Sequence, residues 1–301
     1  MARFNSIRAG PAGTRERSGK AGGQRFRPKK RLGQHFLVDQ RIVQKIIHCA
    51  GFHASDRVLE IGPGMGSLTL PLAREVHHIV AVEKDRNLTL ALEKHLRKSG
   101  VNNVTLINQD ILKWDFQEMG SALSSKILIV GNLPYNISSP FLEKLIENRQ
   151  RIGRAVLMFQ LEVGRRITAS PGGKAYGAMS LLVQYHANPT VLIEVAKEAF
   201  YPRPKVDSMV VGLDFTRPYR GDAAVSENRF RQVVKGAFAH RRKTLINSLS
   251  GAPASFSRDV LLNAMEQCGI DPKRRAETLD MDEFLCLTKV LSLTNRPGNG
   301  T

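Results

Sequence analysis

The stretch RVLEIGPGMGSLT, residues 57–69, decides the fold class. A short apolar run, which predicts a buried strand, passes through Gly62, Gly64 and Gly66 into a segment over 67–76 that predicts a helix. Glycines between a strand and a helix let a ligand approach the backbone at the helix amino end. The stretch therefore predicts a ligand site, with a tight structural turn as the alternative.

Outward from this turn, apolar runs that predict strands alternate with segments that predict helices. The predicted strands are residues 57–62, 78–83, 104–110, 126–132, 155–160, 190–195 and 209–215. The predicted helices among them are residues 39–49, 67–76, 86–100, 138–149 and 161–168. This alternation predicts an α/β fold with a Rossmann-like, doubly wound, mostly parallel sheet of seven strands, closed at one edge by an antiparallel pair.

The pattern changes near residues 216–222, beyond which only helices are predicted. These helices cover residues 226–239, 241–249, 256–268 and 282–293. We therefore expect three parts of the chain: a basic tail over 1–28, an α/β domain over 29–216 and a small all-α domain over 217–301.

The net charge of +18 is concentrated at the amino end, where residues 1–31 contain ten Lys and Arg against Glu16 alone. This tail is rich in Gly and Arg and lacks apolar periodicity, so we expect it to be disordered. It fits an arm that neutralises nucleic-acid phosphates. A solubilising tail and an organelle transit peptide are the alternatives.

The composition also bears on membranes, metals and disulfides. No apolar run reaches the roughly 18 residues that predict a membrane span. Cys49, Cys268 and Cys286 lie far apart in the sequence, without a metal-binding spacing. We interpret them as reduced thiols of a cytoplasmic protein, and we expect neither a disulfide nor a metal site.

Acidic residues at the next two strand ends indicate which cofactor the glycine turn serves. Glu83 follows Gly62 by 21 residues, where a carboxylate can accept both hydroxyls of a ribose. Asp110 is placed to accept from an adenine amine, with Ile111 beside the ring. NAD fits the first two features, but Ser67 stands where its third glycine belongs. S-adenosylmethionine, which has no pyrophosphate, fits the set better, while capping roles for the acids are the alternative.

The fourth strand ends in GNLPYNISSPF, residues 131–141, which contains no general base or thiol. The amine of adenine is a weak nucleophile, and two hydrogen-bond acceptors stabilise the positive charge that develops on it. The side-chain oxygen of Asn132 and the carbonyl of Leu133 can be those acceptors. Pro134 stiffens the turn, and Tyr135 can stack on the base. These residues predict methyl transfer to the adenine amine, with core packing as the alternative for Tyr135.

Together the motifs resemble those of the ribosomal RNA adenine dimethyltransferases, over roughly residues 29–292. The segments that carry the resemblance are KKRLGQHFL (29–37), EIGPGMGSLT (60–69), VEKD (82–85), QDIL (109–112), NLPYNISSP (132–140), KAYGAMSLLVQY (174–185), AFYPRPKVDS (199–208) and FAHRRKTLINSL (238–249). PKVDS and YGAMS resemble the small-subunit branch more closely than the large-subunit one.

The resemblance implies a role for each residue that matches a family motif. The implied contacts of S-adenosylmethionine are His35, Leu37, Gly62, Gly64, Glu83, Lys84, Asp110, Ile111 and Asn132. The implied catalytic residues are Asn132, Leu133, Tyr135 and Phe200, with Phe200 as a second aromatic against the flipped adenine. Arg241, Arg242 and Lys243 are expected to contact RNA phosphates. Core packing of Phe200 and a solvated helix face over 240–245 are the alternatives.

The resemblance also implies a substrate. It is two adjacent adenosines in the hairpin near the 3′ end of 16S rRNA, which receive four methyl groups on the small ribosomal subunit late in its assembly. A monomeric cytoplasmic enzyme is expected, with the helical domain docking RNA and no metal or membrane partner. The rivals are a large-subunit or DNA adenine methyltransferase and a non-catalytic nucleic-acid-binding relative; the intact cofactor set argues against the latter.

Overall fold

The computed structural model describes residues 33–119, 126–219, 225–251 and 256–294. Its strands are β1 (Phe36–Leu37), β2 (Arg57–Ile61), β3 (His78–Glu83), β4 (Val104–Asn108), β5 (Ile127–Asn132), β6 (Ile152–Gln160), β7 (Asn188–Val195), β8 (Phe200–Tyr201) and β9 (Ser208–Asp214). Its helices are α1 (Gln40–Ala50), α2 (Thr69–Leu72), α3 (Arg86–Lys98), α4 (Ser138–Glu147), α5 (Leu161–Ile167), α6 (Ala178–His186), α7 (Glu227–Ala237), α8 (Leu245–Ser250), α9 (Arg258–Gln267) and α10 (Met281–Leu293).

Seven of the described strands form one sheet, in the order β4-β3-β2-β5-β6-β9-β7. All pairs from β4 to β6 are parallel, and β9 pairs antiparallel with β6 and with β7. The strand order reverses beside β2, and such a reversal creates a crevice at the carboxyl ends of the strands. The predicted Rossmann-like sheet is confirmed, including its antiparallel closure at one edge.

Separate apolar clusters cover the two faces of the sheet. Val58 and Leu59 are neighbours on β2, and successive strand residues point to opposite faces. Val58 packs in the cluster that contains Val43 and Ile46 of α1, whereas Leu59 packs in the cluster that contains Phe141 of α4. Burial on both faces explains why these strands read as continuous apolar runs in the sequence.

Helices α7 to α10 surround a third cluster, which includes the fully buried ring of Phe284. Helix α6 is shared between this cluster and the sheet, because Leu181 packs in the helical cluster and Val183 in a sheet cluster. The predicted helical C-terminal region is therefore present. Its boundary near residues 216–222 stays a prediction, since 220–224 lie outside the described residues.

Charged groups join the helical region to the sheet domain at the start of α7. The carboxylate of Glu227 lies 2.5 Å from Arg149 Nη2 and 3.3 Å from His186 Nε2. Burial, together with the charges of Arg149 and Arg231, lowers the pKa of His186 to about 4, so its ring is neutral at pH 7. Arg149 is therefore the cationic partner of Glu227 in this network.

Several elements differ from the sequence prediction. Helix α2 is shorter than the predicted helix over 67–76, because the chain turns after Leu72 to reach β3. Helix α8 begins at Leu245, so a helix start at residue 241 is wrong. Helix α6 was not predicted; it packs between two clusters and so lacks the one-sided pattern of a surface helix. The two-residue strands β1 and β8 are too short for any periodicity to reveal.

The prediction that all three cysteines are reduced is wrong for two of them. Cys268, which follows α9, forms a disulfide with Cys286 of α10, and their Cα atoms lie 5.8 Å apart. That separation is within the range that a disulfide spans. The prediction relied on distance in the sequence, whereas the packing of α9 against α10 brings the two residues together. Cys49 has a free thiol.

Three further predictions concern the tail, membranes and metals. The predicted disordered tail over 1–28 lies outside the described residues. None of the helices in the described ranges is long and apolar enough to cross a bilayer. The same ranges contain no group of three or more His, Cys, Asp or Glu residues that could hold a metal ion.

Replacing Cys268 and Cys286 together by serine is expected to lower the free energy of unfolding by about 3 kcal/mol. The reason is that a disulfide between residues separated by 18 positions no longer constrains the unfolded chain. Dithiothreitol should cause the same loss in the wild type and none in the double variant. Denaturant unfolding followed by circular dichroism measures both effects. Cys49→Ser is the matched control and should respond to dithiothreitol as the wild type does. A wild-type unfolding midpoint that does not change when dithiothreitol is added would contradict the disulfide.

Candidate active site

The carboxyl ends of β2, β3, β4 and β5 meet along one edge of the sheet and form a cleft. In the parallel register Ile61 pairs with Val82 and Gly131, and Glu83 pairs with Asn108, so the residues that follow converge. The predicted residues that line the cleft are His35, Leu37, Gly62, Gly64, Glu83, Lys84, Asp110, Ile111, Asn132, Leu133 and Tyr135. The structure thus brings together every residue predicted to contact the cofactor and three of the four predicted catalytic residues.

The glycine turn after β2 forms one wall of the cleft. Gly64 has φ of +57°, a left-handed conformation that glycine adopts without strain. A Cβ added to Gly64 would lie 3.1 Å from the ring of Phe36, so a side chain fits there only if that ring shifts. The Gly64 N–H donates to Glu83 Oε2 at 3.1 Å and fixes the turn against the end of β3.

Glu83 presents a buried carboxylate at the end of β3, with an exposed fraction of 7%. Its Oε2 accepts from Gly64 N–H and its Oε1 accepts from Asp85 N–H at 2.8 Å. Burial raises the pKa of Glu83, and the backbone donors offset only part of that rise. Each carboxylate oxygen can accept a further hydrogen bond, so Glu83 can hold two hydroxyl groups of a ligand.

Asp110 lies on the neighbouring strand end and is paired with a lysine. Lys84 Nζ lies 2.7 Å from Asp110 Oδ2, and the Leu112 N–H donates to Asp110 Oδ1 at 3.0 Å. Burial by itself raises the pKa of Asp110, but the hydrogen bonds from Lys84 and Leu112 outweigh it and leave the pKa below its usual value. Lys84, predicted as a cofactor contact, therefore stabilises the ionised form of Asp110.

Glu60 is a cleft residue that the sequence reasoning missed. It lies inside β2 with 1% of its surface exposed, and its Oε2 has no hydrogen-bond partner among the described residues. Burial, with a contribution from the charge of Glu83, raises the pKa of Glu60 to about 8. A buried acceptor without a partner is costly unless a ligand supplies one. The signal in the sequence is an acid inside the otherwise apolar run RVLEI.

Asn132 ends β5 at the opposite wall, and its amide is oriented by the segment before β1. Asn132 Nδ2 donates to the backbone carbonyl of His35 at 2.9 Å. The amide oxygen is therefore the acceptor that the side chain offers to a ligand. Pro134, with φ of −56°, continues the chain into the turn that begins at Tyr135, while Leu133 is 1% exposed and holds the turn against the core.

His35 links the turn to the later segment AFYPRPKVDS. The sequence did not predict this link. Its ring stacks on the ring of Tyr135, with centroids 5.5 Å apart and planes 27° apart. His35 Nδ1 donates to the carbonyl of Pro202 at 2.6 Å, and the hydroxyl groups of Tyr135 and Ser208 lie 2.9 Å apart. The segment before β1 and the segment 199–208 thus fix the orientation of the Tyr135 ring.

The structure does not bring Phe200 into the cleft. The side chain of Phe200 is 4% exposed and packs in the sheet cluster that also contains Leu37 and Val43. Leu37 is its partner in the β1–β8 pair. The stacking of Phe200 on a base stays a prediction, and in this structure its ring belongs to the core.

The predicted RNA contacts lie away from the cleft, in the exposed turn before α8. Arg241 donates to the carbonyl of Lys174 at 2.6 Å and lies 3.5 Å from the carboxylate of Glu277, so it also holds two loops together. Arg242 and Lys243 are exposed beside it. This turn, and not a helix face, presents the three cations.

The sequence matches the profile of the ribosomal RNA adenine dimethylase family over residues 25–293. The chain belongs to this family. Ribosomal RNA small subunit methyltransferase A of Desulforapulum autotrophicum is 44% identical over 270 residues, which are 89% of this chain and 93% of the relative. The relative of the same name from Moorella thermoacetica is 44% identical over 272 residues, 88% of this chain and 92% of the relative.

Solved structures agree with this family assignment. A dimethyladenosine transferase from Plasmodium falciparum superposes with a TM-score of 0.70 at 28% identity, over 83% of this chain and 95% of that one. The 23S rRNA methyltransferase ErmE gives a TM-score of 0.66 at 25% identity, over 85% and 99% of the two chains. As a ribosomal RNA adenine dimethylase family member, the protein is a methyltransferase.

Gly64→Ala is expected to destabilise this family member more than Gly100→Ala, the matched control. Both glycines have positive φ, +57° and +68°, so alanine costs about 1–2 kcal/mol at either position. A Cβ at Gly100 meets nothing within 4 Å, whereas one at Gly64 meets the Phe36 ring and adds about 1–3 kcal/mol of overpacking. Equilibrium denaturation measures the difference, and equal losses would show that Phe36 yields without cost.

Proposed function

We propose that the protein transfers methyl groups from S-adenosylmethionine to the N6 amines of two adjacent adenosines. The proposed substrate is the hairpin near the 3′ end of 16S rRNA, within the small ribosomal subunit and late in its assembly. The observation that carries the proposal is the position of Asn132 and Tyr135, fixed by His35 across the cleft from Glu83 and Asp110. Relatives named as small-subunit methyltransferases support the choice of particle.

The acceptors of the cleft fit S-adenosylmethionine. Glu83 can hold the ribose hydroxyls, and Asp110 with Ile111 can hold the adenine amine and ring. The unpartnered Oε2 of Glu60 can accept from the ammonium group of the amino-acid portion, and that cation would favour the ionised form of Glu60, whose raised pKa leaves it protonated near neutral pH without a ligand. When bound, S-adenosylmethionine supplies a methyl group on a positively charged sulfur. The residues of the chain bind and orient both substrates.

Asn132 and Leu133 are the proposed acceptors for the target amine. The nitrogen lone pair of that amine is delocalised into the adenine ring, and hydrogen bonds from both of its N–H groups favour a pyramidal nitrogen. The Asn132 amide oxygen and the Leu133 carbonyl then stabilise the positive charge that develops on the nitrogen. The charged amine is acidic and releases its proton without a general base. The Asn132 amide is oriented in advance, since its nitrogen is already bonded to His35.

Tyr135 is the proposed stacking surface for the target base. One contact is the ring of His35, and the hydroxyl group is fixed by Ser208. A base that leaves its helix loses stacking energy, and an aromatic ring can return about 1–3 kcal/mol of it. Because its contacts orient the ring before the base arrives, little further ordering is needed on binding.

Phosphate contacts are proposed for the basic turn of Arg241, Arg242 and Lys243. All three are exposed, and the salt-dependent release of counterions would supply affinity without reading sequence. We further propose that the protein works as a monomer in the cytoplasm, where small subunits are assembled.

Glu83→Gln is expected to weaken S-adenosylmethionine binding by about 1–3 kcal/mol, because the ribose hydroxyls lose a charged acceptor. Burial raises the pKa of Glu83. On acidification, the affinity of the wild type for S-adenosylmethionine should therefore begin to fall at a higher pH than an ordinary glutamate would give, because the carboxylate becomes protonated there. Calorimetry across mildly acidic pH measures this. The variant should lack that fall, and Glu93→Gln, a surface glutamate paired with Arg97 at 2.6 Å, should match the wild type. Unchanged affinity in Glu83→Gln would remove Glu83 from the cofactor site.

Asn132→Ala is expected to slow single-turnover methyl transfer by about 100- to 1,000-fold, because one of two charge-stabilising acceptors is lost. The assay uses labelled S-adenosylmethionine and small subunits that lack the modification. The exposed Asn263→Ala on α9 is the control and should keep the wild-type rate. Naked 16S rRNA and large subunits are the substrate controls. Equal transfer to large subunits would contradict the proposed particle, and full activity of Asn132→Ala would contradict the proposed acceptor.

A further inference from the structure

The β1–β8 ribbon sorts four residues onto two faces. In the antiparallel register Phe36 pairs with Tyr201, and Leu37 pairs with Phe200. Directly paired residues share a face, and neighbours along a strand point to opposite faces. Leu37 and Phe200 are 2% and 4% exposed and form the inner face. The outer face is therefore Phe36, which lines the cleft, and Tyr201.

Tyr201 lies on a segment that two hydrogen bonds, both on its carboxyl side, tie to residues of the cleft. The next residue, Pro202, accepts from His35 Nδ1 at 2.6 Å, and the same His35 ring stacks on Tyr135. Further along the segment, the hydroxyl of Ser208 lies 2.9 Å from that of Tyr135. The backbone that carries Tyr201 is thus tied twice to the turn proposed to receive the target base.

The Tyr201 ring is presented to solvent. Its exposed fraction of 64% is the largest of any bulky apolar or aromatic side chain in the described ranges. An exposed ring does not contribute the free energy that its burial would provide. Phe200, on the same ribbon, shows that an aromatic ring can be buried there. Lys205 is exposed on the same segment, and so is Arg203, which is ion-paired with Glu198. An exposed ring beside cations suits a single-stranded nucleotide, whose base stacks and whose phosphate is negative.

We propose that Tyr201 stacks on the nucleotide next to the target adenosine and so holds the RNA strand at the mouth of the cleft. The inference rests on the proposed function and assigns a substrate contact to a ring that the sequence motif does not single out. Phe200 packs beneath the ribbon, and Tyr201 is the exposed aromatic of this segment. The alternative occupant of the ring, a ribosomal protein, is an outcome of the test.

The test compares Tyr201→Ala, Tyr201→Phe and the wild type in single-turnover methylation of unmodified small subunits. Loss of one stacked base should raise the half-saturating concentration of subunits about 5- to 150-fold in Tyr201→Ala, which corresponds to about 1–3 kcal/mol. The rate at saturation and the affinity for S-adenosylmethionine should stay at wild-type values. Tyr201→Phe keeps the ring and should behave as the wild type. Val191→Ala, which removes an exposed apolar side chain from β7, is the matched control.

Two results would overturn the proposal. One is a half-saturating concentration of Tyr201→Ala equal to that of the wild type. The other comes from p-benzoylphenylalanine placed at position 201, which should cross-link to rRNA under light; a cross-link to a ribosomal protein would assign the ring to that partner. Particle binding by wild type and Tyr201→Ala is also measured without cofactor. That comparison tests the role of Tyr201 even if the wild type transfers no methyl group. A lack of methyl transfer by the wild type would count against the proposed function and not against the role of Tyr201.

Discussion

The close approach of β2 and β5 at their carboxyl ends is the constraint on which the site depends. A Cβ added to Gly131 would lie 2.8 Å from the Ile61 carbonyl oxygen and 3.1 Å from the Ile61 Cβ, so only glycine fits there. The next residues along the two strands are Gly62 and Asn132, and a Cβ on Gly62 would lie 3.6 Å from the Asn132 carbonyl. The wall proposed for the cofactor and the turn proposed for the base are therefore adjacent because two backbones touch.

Much of this arrangement could be predicted from the sequence because it depends on local pattern and on parallel pairing. Apolar runs buried on both faces reveal the strands, and polar residues directly after them must meet at one edge of the sheet. That argument places Glu83, Asp110 and Asn132 together without knowledge of any contact, and the register of β4, β3, β2 and β5 agrees. The helices of the C-terminal region could also be predicted, apart from the start of α8.

What could not be predicted depends on contacts between distant segments. His35 contacts Asn132, Tyr135 and Pro202 through its carbonyl and its ring, and no spacing in the sequence encodes such a set. The burial of Phe200 beside an exposed Tyr201 follows from a register of only two residue pairs. The disulfide between Cys268 and Cys286 depends in the same way on how two helices pack.

Helix α6 has a consequence for the choice of RNA. Because Leu181 and Val183 belong to different cores, and Glu227 is bonded to Arg149 across the same junction, the helical region cannot shift relative to the sheet without losing both contacts. The cationic turn before α8 is thus held at a set distance from the cleft. Under the proposed function, an RNA that contacts both the cationic turn and the cleft must present its backbone and its target adenosines at that separation. The architecture of the RNA would then contribute to discrimination before any base is read.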